Sequence, residues 1–283
     1  MKPVATIVLN RNLPVVTDAL CEHLTRFDGD LTDIFVIEAG SDRRQLSQYT
    51  TWHADWNSAM KDGLRYCRGM NYGLSQLQRA GTLSRYQAFL LLANDTELNP
   101  RPTIEPLLQV LHEHPRVGIL SPCSRTWGER SLLLTEKTKY FWFIHNVAYM
   151  LRREFVAYML RREFIESVCN PDGDPVMDFL FDGNNFRGYG SEHELIAKAY
   201  ANDFAAAITT AAYAEENESH LIHNAQAIQT ESYEQNLKLY VDEGLSWMKR
   251  KYGFNSRWTM QQYVKSFYEN FFEIHPELEQ FRI

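Results

Sequence analysis

Asn94, Asp95 and Glu97 follow directly on a largely apolar run at 86–93, and their types and spacing are suited to binding a cation. An apolar run of this length is typical of a buried strand. In an open α/β sheet, ligands bind beyond the carboxyl ends of the strands, and carboxylate oxygens there suit a divalent cation that holds phosphates. A turn with a helix cap before Pro100 is an equally good interpretation, and both stay open here.

A second group of acidic residues lies at the predicted start of a helix. Glu192, His193 and Glu194 follow a glycine-containing segment and precede an apolar pattern that runs to Tyr200. A carboxylate held close to a hydroxyl can remove its proton as a new bond forms. The alternative is structural, because Ser191 is a good helix cap and acids are favoured in a first turn by the helix dipole.

Strand-like and helical patterns alternate along the first half of the chain, which indicates βαβ units on a mostly parallel sheet. Polar residues follow the first strand at Asn10 and Arg11, and the second at 39–42. Sheet edges of this kind position side chains around one crevice. The predicted strands are 5–9, 33–38, 87–93 and 117–121, and the predicted helical segments are 16–27, 58–80 and 102–114.

Two common nucleotide-binding patterns are missing from the sequence. No Gly-x-Gly-x-x-Gly follows the first strand, and no Gly-x-x-x-x-Gly-Lys-Ser/Thr occurs anywhere. Ordinary dinucleotide and P-loop chemistry is therefore excluded. What remains is a sheet edge able to hold a nucleotide through its base, its ribose and a metal-bound diphosphate.

The composition is that of a globular, mildly acidic protein. The 283 residues are 45% hydrophobic, enough to bury the core of one sizeable domain or of a domain with an appendage. A formal net charge of -7 argues against general nucleic-acid binding, while a local basic patch for phosphates remains compatible with it. The four cysteines form no Cys-x-x-Cys pair, so we expect reduced structural thiols.

The sequence contains no predicted membrane span. No stretch approaches the roughly 18 to 20 apolar residues that cross a bilayer. The segment 1–9 is short and strand-like rather than typical of a signal peptide. We therefore expect a cytoplasmic protein, with peripheral contact at the inner face of a membrane left open.

The order of the motifs resembles the inverting glycosyltransferases of family 2, which have the GT-A fold. The resemblance covers residues 4–220 and rests on four segments in the same order as in that family: 8–12, 36–42, 68–73 and 91–98. It implies a GT-A-like, mostly parallel sheet flanked by helices. It also implies a nucleotide-sugar donor, a divalent metal such as Mn²⁺ or Mg²⁺, and a glycan or glycolipid acceptor.

The resemblance also assigns roles to individual residues of the nucleotide and metal site. Ala93 stands where the first acid of the family's Asp-x-Asp motif often stands, which leaves Asp95 as the metal ligand. His223 or His220 is the candidate for a further ligand, with Glu216 as an alternative at that position. The residues expected to line the nucleotide are Asn10, Arg11, Glu38, Arg68, Asn71 and Asn94.

The catalytic base implied by the resemblance is Glu192. It occupies the base position when Glu194 and Leu195 are aligned with the family's acidic-Leu pair, and a shift of one residue would put His193 there instead. We expect His193 and Trp127 near the sugars, Trp127 because aromatic faces complement the C–H surfaces of sugars. A Trp that packs under a loop is equally plausible.

A nine-residue segment, 147–155, is repeated without change at 156–164. Two copies of nine residues are too few and too short for a solenoid. In a helix nine residues advance the phase by about half a turn, so both copies cannot present the same face to one core. We expect one copy to fill the family's strand-then-helix passage and the other to project as a loop or helical extension near the acceptor side.

The C-terminal part differs from the rest in its density of aromatic residues. We predict two parts, a GT-A-like nucleotide-sugar-binding catalytic domain at 1–225 and a helical appendage at 226–283. Aromatic residues of this kind most often form core or dimer contacts. An interfacial patch at an anionic membrane is the alternative.

These inferences predict a metal-dependent, inverting transfer of a sugar from a nucleotide diphosphate, with a UDP-sugar the expected donor. The competing hypothesis is a non-catalytic nucleotide-sugar-binding or assembly protein, since the metal motif is incomplete. A nucleotidyltransferase ranks last, because its lysine-containing, glycine-rich phosphate loop is absent after the first strand.

Overall fold

The first half of the protein alternates between strands and helices, as its sequence pattern predicts. The computed structural model describes residues 2–127, 138–145, 147–159 and 176–283. The elements of this half are β1 Val4–Asn10, α1 Pro14–Asp28, β2 Thr32–Glu38, β3 Thr50–His53, α2 Asn57–Asp62, α3 Arg65–Arg79, β4 Ala88–Ala93 and β5 Thr96–Leu98.

The second half adds strands to the same sheet and ends in two long helices. Its elements are α4 Ile104–Glu113, β6 Val117–Cys123, β7 Thr138–Tyr140, β8 Ala148–Arg152, α5 at 153–159, α6 Ser191–Ala201, β9 Ala205–Glu216, α7 Ser219–Asn224, α8 Tyr233–Tyr252 and α9 Arg257–Ile274. Short 3-10 helices lie at Leu83–Arg85 and Pro276–Phe281.

The sheet is mixed, with a parallel half that carries the predicted ligand edge. Among the described residues the strand order is β3-β2-β1-β4-β8-β6-β9-β5, and β7 pairs with β9. β3, β2, β1 and β4 are parallel neighbours, whereas β8 runs antiparallel between β4 and β6. The register pairs Asn10 with Glu38 and Leu9 with Ala93, so the ends of β1, β2 and β4 meet at one edge.

The parallel strands are apolar because they are covered on both faces. Nearly every residue of β1 and β4 is buried, the pattern expected of strands inside an α/β layer structure. Two glycines let α3 lie close to this sheet. A Cβ added at Gly73 would come within 2.3 Å of the Ile37 Cδ1 atom, and one at Gly69 would come equally close to Leu9 Cδ1. α3 therefore approaches β1 and β2 at a distance that side chains at these positions would prevent.

The predicted helical segment at 58–80 is divided into α2 and α3 at Gly63. Gly63 has a φ of 75°, a left-handed conformation that glycine adopts readily and other residues avoid. The break matters for the site, because it leaves Arg65 at the start of α3, facing the ends of the strands.

The two copies of the nine-residue repeat have different structures where they are described. The first copy forms β8 and the start of α5, the strand-then-helix form that the resemblance implies. Residues 156–159 of the second copy continue α5, so Ala157–Met159 are helical while the identical Ala148–Met150 are extended. The rest of the second copy, 160–164, lies outside the described residues.

The C-terminal helices pack on the rest of the protein through aromatic side chains. Tyr268 and Phe271 of α9 contact the ring of Tyr200 in α6 and belong to the same buried core as the sheet. Trp247, Met248 and Met260 form a further buried cluster of their own, and the domain boundary at 225 stays a prediction. Within the described residues, no helix has the combination of length and apolarity needed to cross a membrane.

The cysteines described by the structure are reduced. Cys21, Cys67 and Cys123 are buried and form no disulfide. Cys169 lies outside the described residues.

Candidate active site

A cavity of about 160 Å³ opens at the carboxyl ends of β1 and β4. Four of the predicted nucleotide and metal residues line it: Asn10, Arg11, Asn94 and Asp95. They come together because β1 and β4 are parallel neighbours in register, so the residues after both strands reach the same edge. The rest of the polar lining comes from Arg65, His220 and the segment 228–230.

Asn10 and Asn94 are linked by a hydrogen bond across the base of the cavity. The Asn94 Nδ2 atom donates to Asn10 Oδ1 at 3.1 Å and to Thr17 Oγ1 at 3.1 Å. Asn10 Nδ2 in turn donates to Glu38 Oε2 at 2.8 Å. These contacts fix the orientation of both amides, and their position in the lining suits polar recognition of a ligand.

Glu38 supports the site from inside the protein and does not line the cavity. Its side chain is completely buried, and both carboxylate oxygens accept hydrogen bonds from the loops that follow β1 and β2. The donors are Asn10 Nδ2, Ser41 Oγ, the Ser47 backbone N–H and Thr50 Oγ1. In this geometry Glu38 organises those loops, and its expected contact with a base or ribose stays a prediction.

Arg11 lines the cavity but directs its donors toward backbone carbonyls. Its Nε donates to Ile228 O at 2.8 Å, and its two terminal nitrogens donate to carbonyls of Ala39 and of the last turn of α2. A guanidinium has five N–H donors, and five such contacts occupy them. Arg11 therefore ties the segment around Ile228 to the β1 edge. Burial lowers the pKa of Arg11.

Arg68 and Asn71 also lie away from the cavity, on the side of α3 that faces 176–186. The Asn71 amide makes four hydrogen bonds to backbone atoms of Val176, Leu180 and Phe181. Arg68 Nε donates to Gly183 O at 2.8 Å. These two residues hold the segment that precedes α6 and do not line the cavity, and their contact with a nucleotide stays a prediction.

Arg65 is the cation in the lining that the sequence analysis did not select. Its Nη2 atom donates to Thr230 Oγ1 at 2.7 Å and pairs with Glu231 at 3.4 Å. Burial, reinforced by the nearby charge of Arg187, lowers the pKa of Arg65 to about 10, so it stays protonated at neutral pH. Arg65 has a φ of 54°, which places it where the chain turns into α3. A phosphate group is the natural partner of such a guanidinium.

Asp95 is in the turn between β4 and β5, among other acidic groups. Pairing of β5 with β9 places Thr96 opposite Glu216, and the Asp95 carbonyl accepts from the Asn217 N–H at 2.9 Å. Burial, followed by the charges of Glu216 and Glu218, raises the pKa of Asp95 to about 7. The turn therefore carries an excess of negative charge that a bound cation would relieve.

The structure favours His220 over His223 as a second ligand. His220 lines the same cavity as Asp95, whereas His223 is exposed and does not line it. Within the described parts of the chain, no three His, Cys, Asp or Glu side chains are arranged as a ready metal site. One carboxylate and one imidazole fit a divalent cation that takes its other ligands from phosphate oxygens and water.

Trp127 does not line the cavity and is linked to the acidic turn through His145. Its ring centroid is 3.7 Å from that of His145, and the His145 Nε2 atom is 3.5 Å from a carboxylate oxygen of Glu216. Glu215 holds the preceding loop by accepting from Ser124 Oγ and the Arg125 N–H. The indole is 39% exposed, and its predicted contact with a sugar stays a prediction.

Glu192 lies in a separate, buried cluster under the C-terminal helices and does not line the cavity. It is in the first turn of α6, and 7% of its surface is exposed. Its Oε1 atom is 2.8 Å from Nδ1 of the completely buried His193, and 3.8 Å from Nη2 of Arg257. Burial opposes ionisation, but these two groups and the helix backbone outweigh it and lower the pKa of Glu192.

Comparison with known proteins identifies the fold. No protein-family model and no curated protein matches the sequence. TarS of S. aureus, residues 1–349 with UDP-GlcNAc, is 13% identical with a TM-score of 0.52 over 96% of this chain and 73% of that one. A longer TarS structure is 12% identical, with a TM-score of 0.52 over 88% of this chain, which spans 44% of its length.

A third solved structure extends the likeness to the whole chain. GalNAc-T7 with UDP, GalNAc and Mn²⁺ is 9% identical, with a TM-score of 0.56 over 99% of this chain and 58% of that one. These likenesses confirm the predicted GT-A-like fold, a mixed α/β sheet flanked by helices. The narrower assignment to family 2 stays a prediction.

Proposed function

We propose that this protein is a glycosyltransferase that moves a sugar from a nucleotide diphosphate to a hydroxyl of a glycan or glycolipid, with inversion at the anomeric carbon. The observation that supports this most directly is the cavity at the ends of β1 and β4, which combines Asp95, His220 and Arg65 within a GT-A-like fold. UDP-GlcNAc in TarS and UDP in GalNAc-T7 favour a UDP-sugar as the donor.

The donor would bind through its diphosphate and its nucleoside. Arg65 supplies a guanidinium suited to a phosphate, and Asn10 and Asn94 supply oriented amides. Asp95 and His220 would hold a divalent cation, which when bound neutralises the charge that develops on the diphosphate leaving group.

The acceptor hydroxyl would lose its proton to Glu192. The lowered pKa of Glu192 keeps it ionised at neutral pH, as a general base must be. Among the described residues its Oε2 atom has no hydrogen-bond partner, which leaves this atom to accept the proton. Trp127 would support the donor sugar.

A nucleotide-sugar-binding protein without transfer activity is the second candidate. It is favoured by one observation, the burial of Glu192 outside the cavity lined by Asp95. Both candidate functions include binding of the nucleotide sugar, and only the first includes transfer of the sugar. An experiment must therefore measure binding and turnover.

The test is a thermal-stability screen of the full chain against nucleotides and nucleotide sugars, with and without Mn²⁺, followed by a donor hydrolysis and transfer assay. A ligand at 100 times its Kd stabilises the native state by about 2.7 kcal/mol. We expect a UDP-sugar to stabilise the protein more with Mn²⁺ than without it, and Asp95→Asn to remove that difference. The control is Glu113→Gln, at an exposed carboxylate of α4.

Turnover then separates the two candidates. Glu192→Gln should keep nucleotide affinity and lose about 10²- to 10⁴-fold in transfer rate, the usual contribution of a general base. Stabilisation by nucleotides without transfer to any acceptor would favour the binding protein. Absence of stabilisation by every nucleotide would overturn both.

A further inference from the structure

Several buried polar atoms without partners gather around Glu192. Among the described residues, Glu192 Oε2, His193 Nε2, the Tyr66 hydroxyl and Arg257 Nε are buried and make no hydrogen bond. Leaving a buried polar group unsatisfied costs about 1–3 kcal/mol. A cluster of such groups contributed by α3, α6 and α9 is costly to maintain and indicates a functional site.

Arg257 is the member of this cluster that reaches solvent. It is the first residue of α9, and 39% of its side chain is exposed. Its guanidinium lies 5.4 Å from the ring centroids of both Phe143 and Tyr189, with Nη2 3.8 Å from Glu192 Oε1. The side chain therefore stands between the solvent and the carboxylate, held by ring faces rather than by a close ion pair.

Among the described residues, few charged groups lie close to the Glu192 carboxylate. Besides Arg257 of α9, the titratable groups near its carboxylate are His193 of α6, Tyr66 and Cys67 of α3, and Tyr240 of α8. Both tyrosines and the thiol are neutral when protonated, and burial, with the charge of Glu192 adding to it, raises their pKa values. Of these five groups, only the guanidinium carries a permanent charge.

We propose that Arg257, contributed by the C-terminal helices, is a positioning residue for Glu192: it keeps the buried carboxylate ionised and shields it from bulk water. Its consequence for catalysis rests on the proposed function, whereas its effect on the carboxylate itself does not. The C-terminal helices then complete the site around the base instead of only covering it.

The sign of the expected effect follows from electrostatics. Arg257 is among the groups that lower the pKa of Glu192. Burial raises the pKa of the Glu192 carboxyl group, and the charge of Arg257 counteracts that effect. Without this charge the carboxyl group should bind its proton at higher pH.

The experiment follows the titration of Glu192 in the full-length protein by NMR of ¹³C-carboxyl-labelled glutamate, with the signal assigned by its absence in Glu192→Gln. Arg257→Met keeps the aliphatic stem over the rings and should raise the midpoint by on the order of half to one pH unit, because the arginine is partly exposed. Arg257→Lys should restore most of the wild-type midpoint. Arg250→Met, which removes an exposed charge from α8, should leave it unchanged.

Equal midpoints in wild type, Arg257→Met and Arg250→Met would overturn the proposal, whether or not the protein transfers sugar. Arg257→Gln serves as a second neutral variant in case the methionine protein does not fold. Once transfer is measurable, the acidic limb of the rate should move to higher pH in Arg257→Met while the donor KM stays constant. A titration shift in a protein without any transferase activity would reject the proposed function and leave the role of Arg257 intact.

Discussion

Arg65 is the residue that most directly links the cavity to a diphosphate. It is a protonated guanidinium in the same lining as Asp95, and Thr230 and Glu231 fix its orientation. Two oxygens of a phosphate can accept hydrogen bonds from one guanidinium, and their negative charge strengthens the contact. A neutral nucleoside offers no such charged pair of oxygens. Comparing UDP, which carries a diphosphate, with uridine, which does not, therefore separates the role of Arg65 from that of the rest of the site.

We predict that Arg65→Met weakens the binding of UDP at least tenfold, about 1.4 kcal/mol or more, and leaves that of uridine unchanged. Isothermal titration calorimetry with both ligands measures the difference. Arg79→Met, at an exposed position of the same helix, is the matched control and should bind both as wild type does. Equal losses for UDP and uridine would mean that Arg65 shapes the cavity and does not contact phosphate.

At the level of residues, the sequence identifies which side chains follow a strand but not which way they face. Asn94 and Asp95 line the cavity because they follow β4 directly. Glu38 is the last residue of β2, and its side chain turns inward because the loops after β1 and β2 need an acceptor for their donors. Arg65 belongs to no motif, and its position depends on the chain break at Gly63.

Among the elements, α8 is held to the segment before α6 by Asp182 as well as by Arg187, which donates to Asn236 and Glu243 of α8. Asp182 Oδ2 accepts from Trp247 Nε1 at 2.9 Å and from Lys251 Nζ at 2.7 Å, both in α8. Burial alone would raise the pKa of Asp182, but these hydrogen bonds outweigh it and lower the pKa to about 2. A lowered carboxyl pKa contributes stability that is present above the unfolded pKa of about 4 and is lost as the pH falls through 2.

We predict that Asp182→Asn destabilises the protein by about 1–2 kcal/mol at pH 7, and that the difference from wild type shrinks between pH 4 and pH 2. Urea unfolding at pH 7, 4 and 3 measures this. The control is Asp242→Asn in α8, which removes an exposed carboxylate that lies 3.8 Å from the ammonium of Lys238. It should lower the free energy of unfolding by less than about 0.5 kcal/mol. A pH-independent loss in Asp182→Asn would mean that its charge does not fix α8.

The repeated segment shows why elements cannot be assigned from local sequence alone. Ala148–Met150 and Ala157–Met159 have the same side chains and differ in conformation. Ala148–Met150 are extended because β4 and β6 flank β8 and supply hydrogen bonds on both sides. Ala157–Met159 lie in α5, where a helix satisfies its own backbone. The short strands β3, β5 and β7 also depend on pairing, since three or four residues carry too little periodicity to be recognised.

For the molecule as a whole, the alternation of strands and helices predicted a mostly parallel α/β sheet, and the resemblance of the ordered motifs to family 2 narrowed this to a GT-A-like fold. The helical appendage predicted at 226–283 was expected to pack on the catalytic domain, but the sequence does not specify against which elements. In the structure, Val264, Tyr268 and Phe271 belong to the same buried core as the sheet strands. Aromatic spacing indicates a helix with an apolar face but does not specify which surface covers that face.

Phe271 links α9 to the rest of the core, since it is 2% exposed and contacts Tyr200 of α6 and Tyr140 of β7. We therefore expect α9 to unfold together with the sheet. We predict that Phe271→Ala lowers the free energy of unfolding of the whole protein by about 3–5 kcal/mol, in one transition. Trp258→Ala, at a residue of the same helix that is 66% exposed, should change it by less than about 0.5 kcal/mol.

Urea unfolding followed by both tryptophan fluorescence and far-UV circular dichroism tests the cooperativity directly. If α8 and α9 unfold together with the sheet, the two probes give the same midpoint in wild type and in Phe271→Ala. If they form an independent domain after residue 225, the substitution shifts only one of two separated transitions and the other keeps its midpoint. Coincident transitions would mean that the part of the protein carrying Arg257 folds together with the part carrying Glu192, so the cluster around the proposed base exists only in the complete molecule.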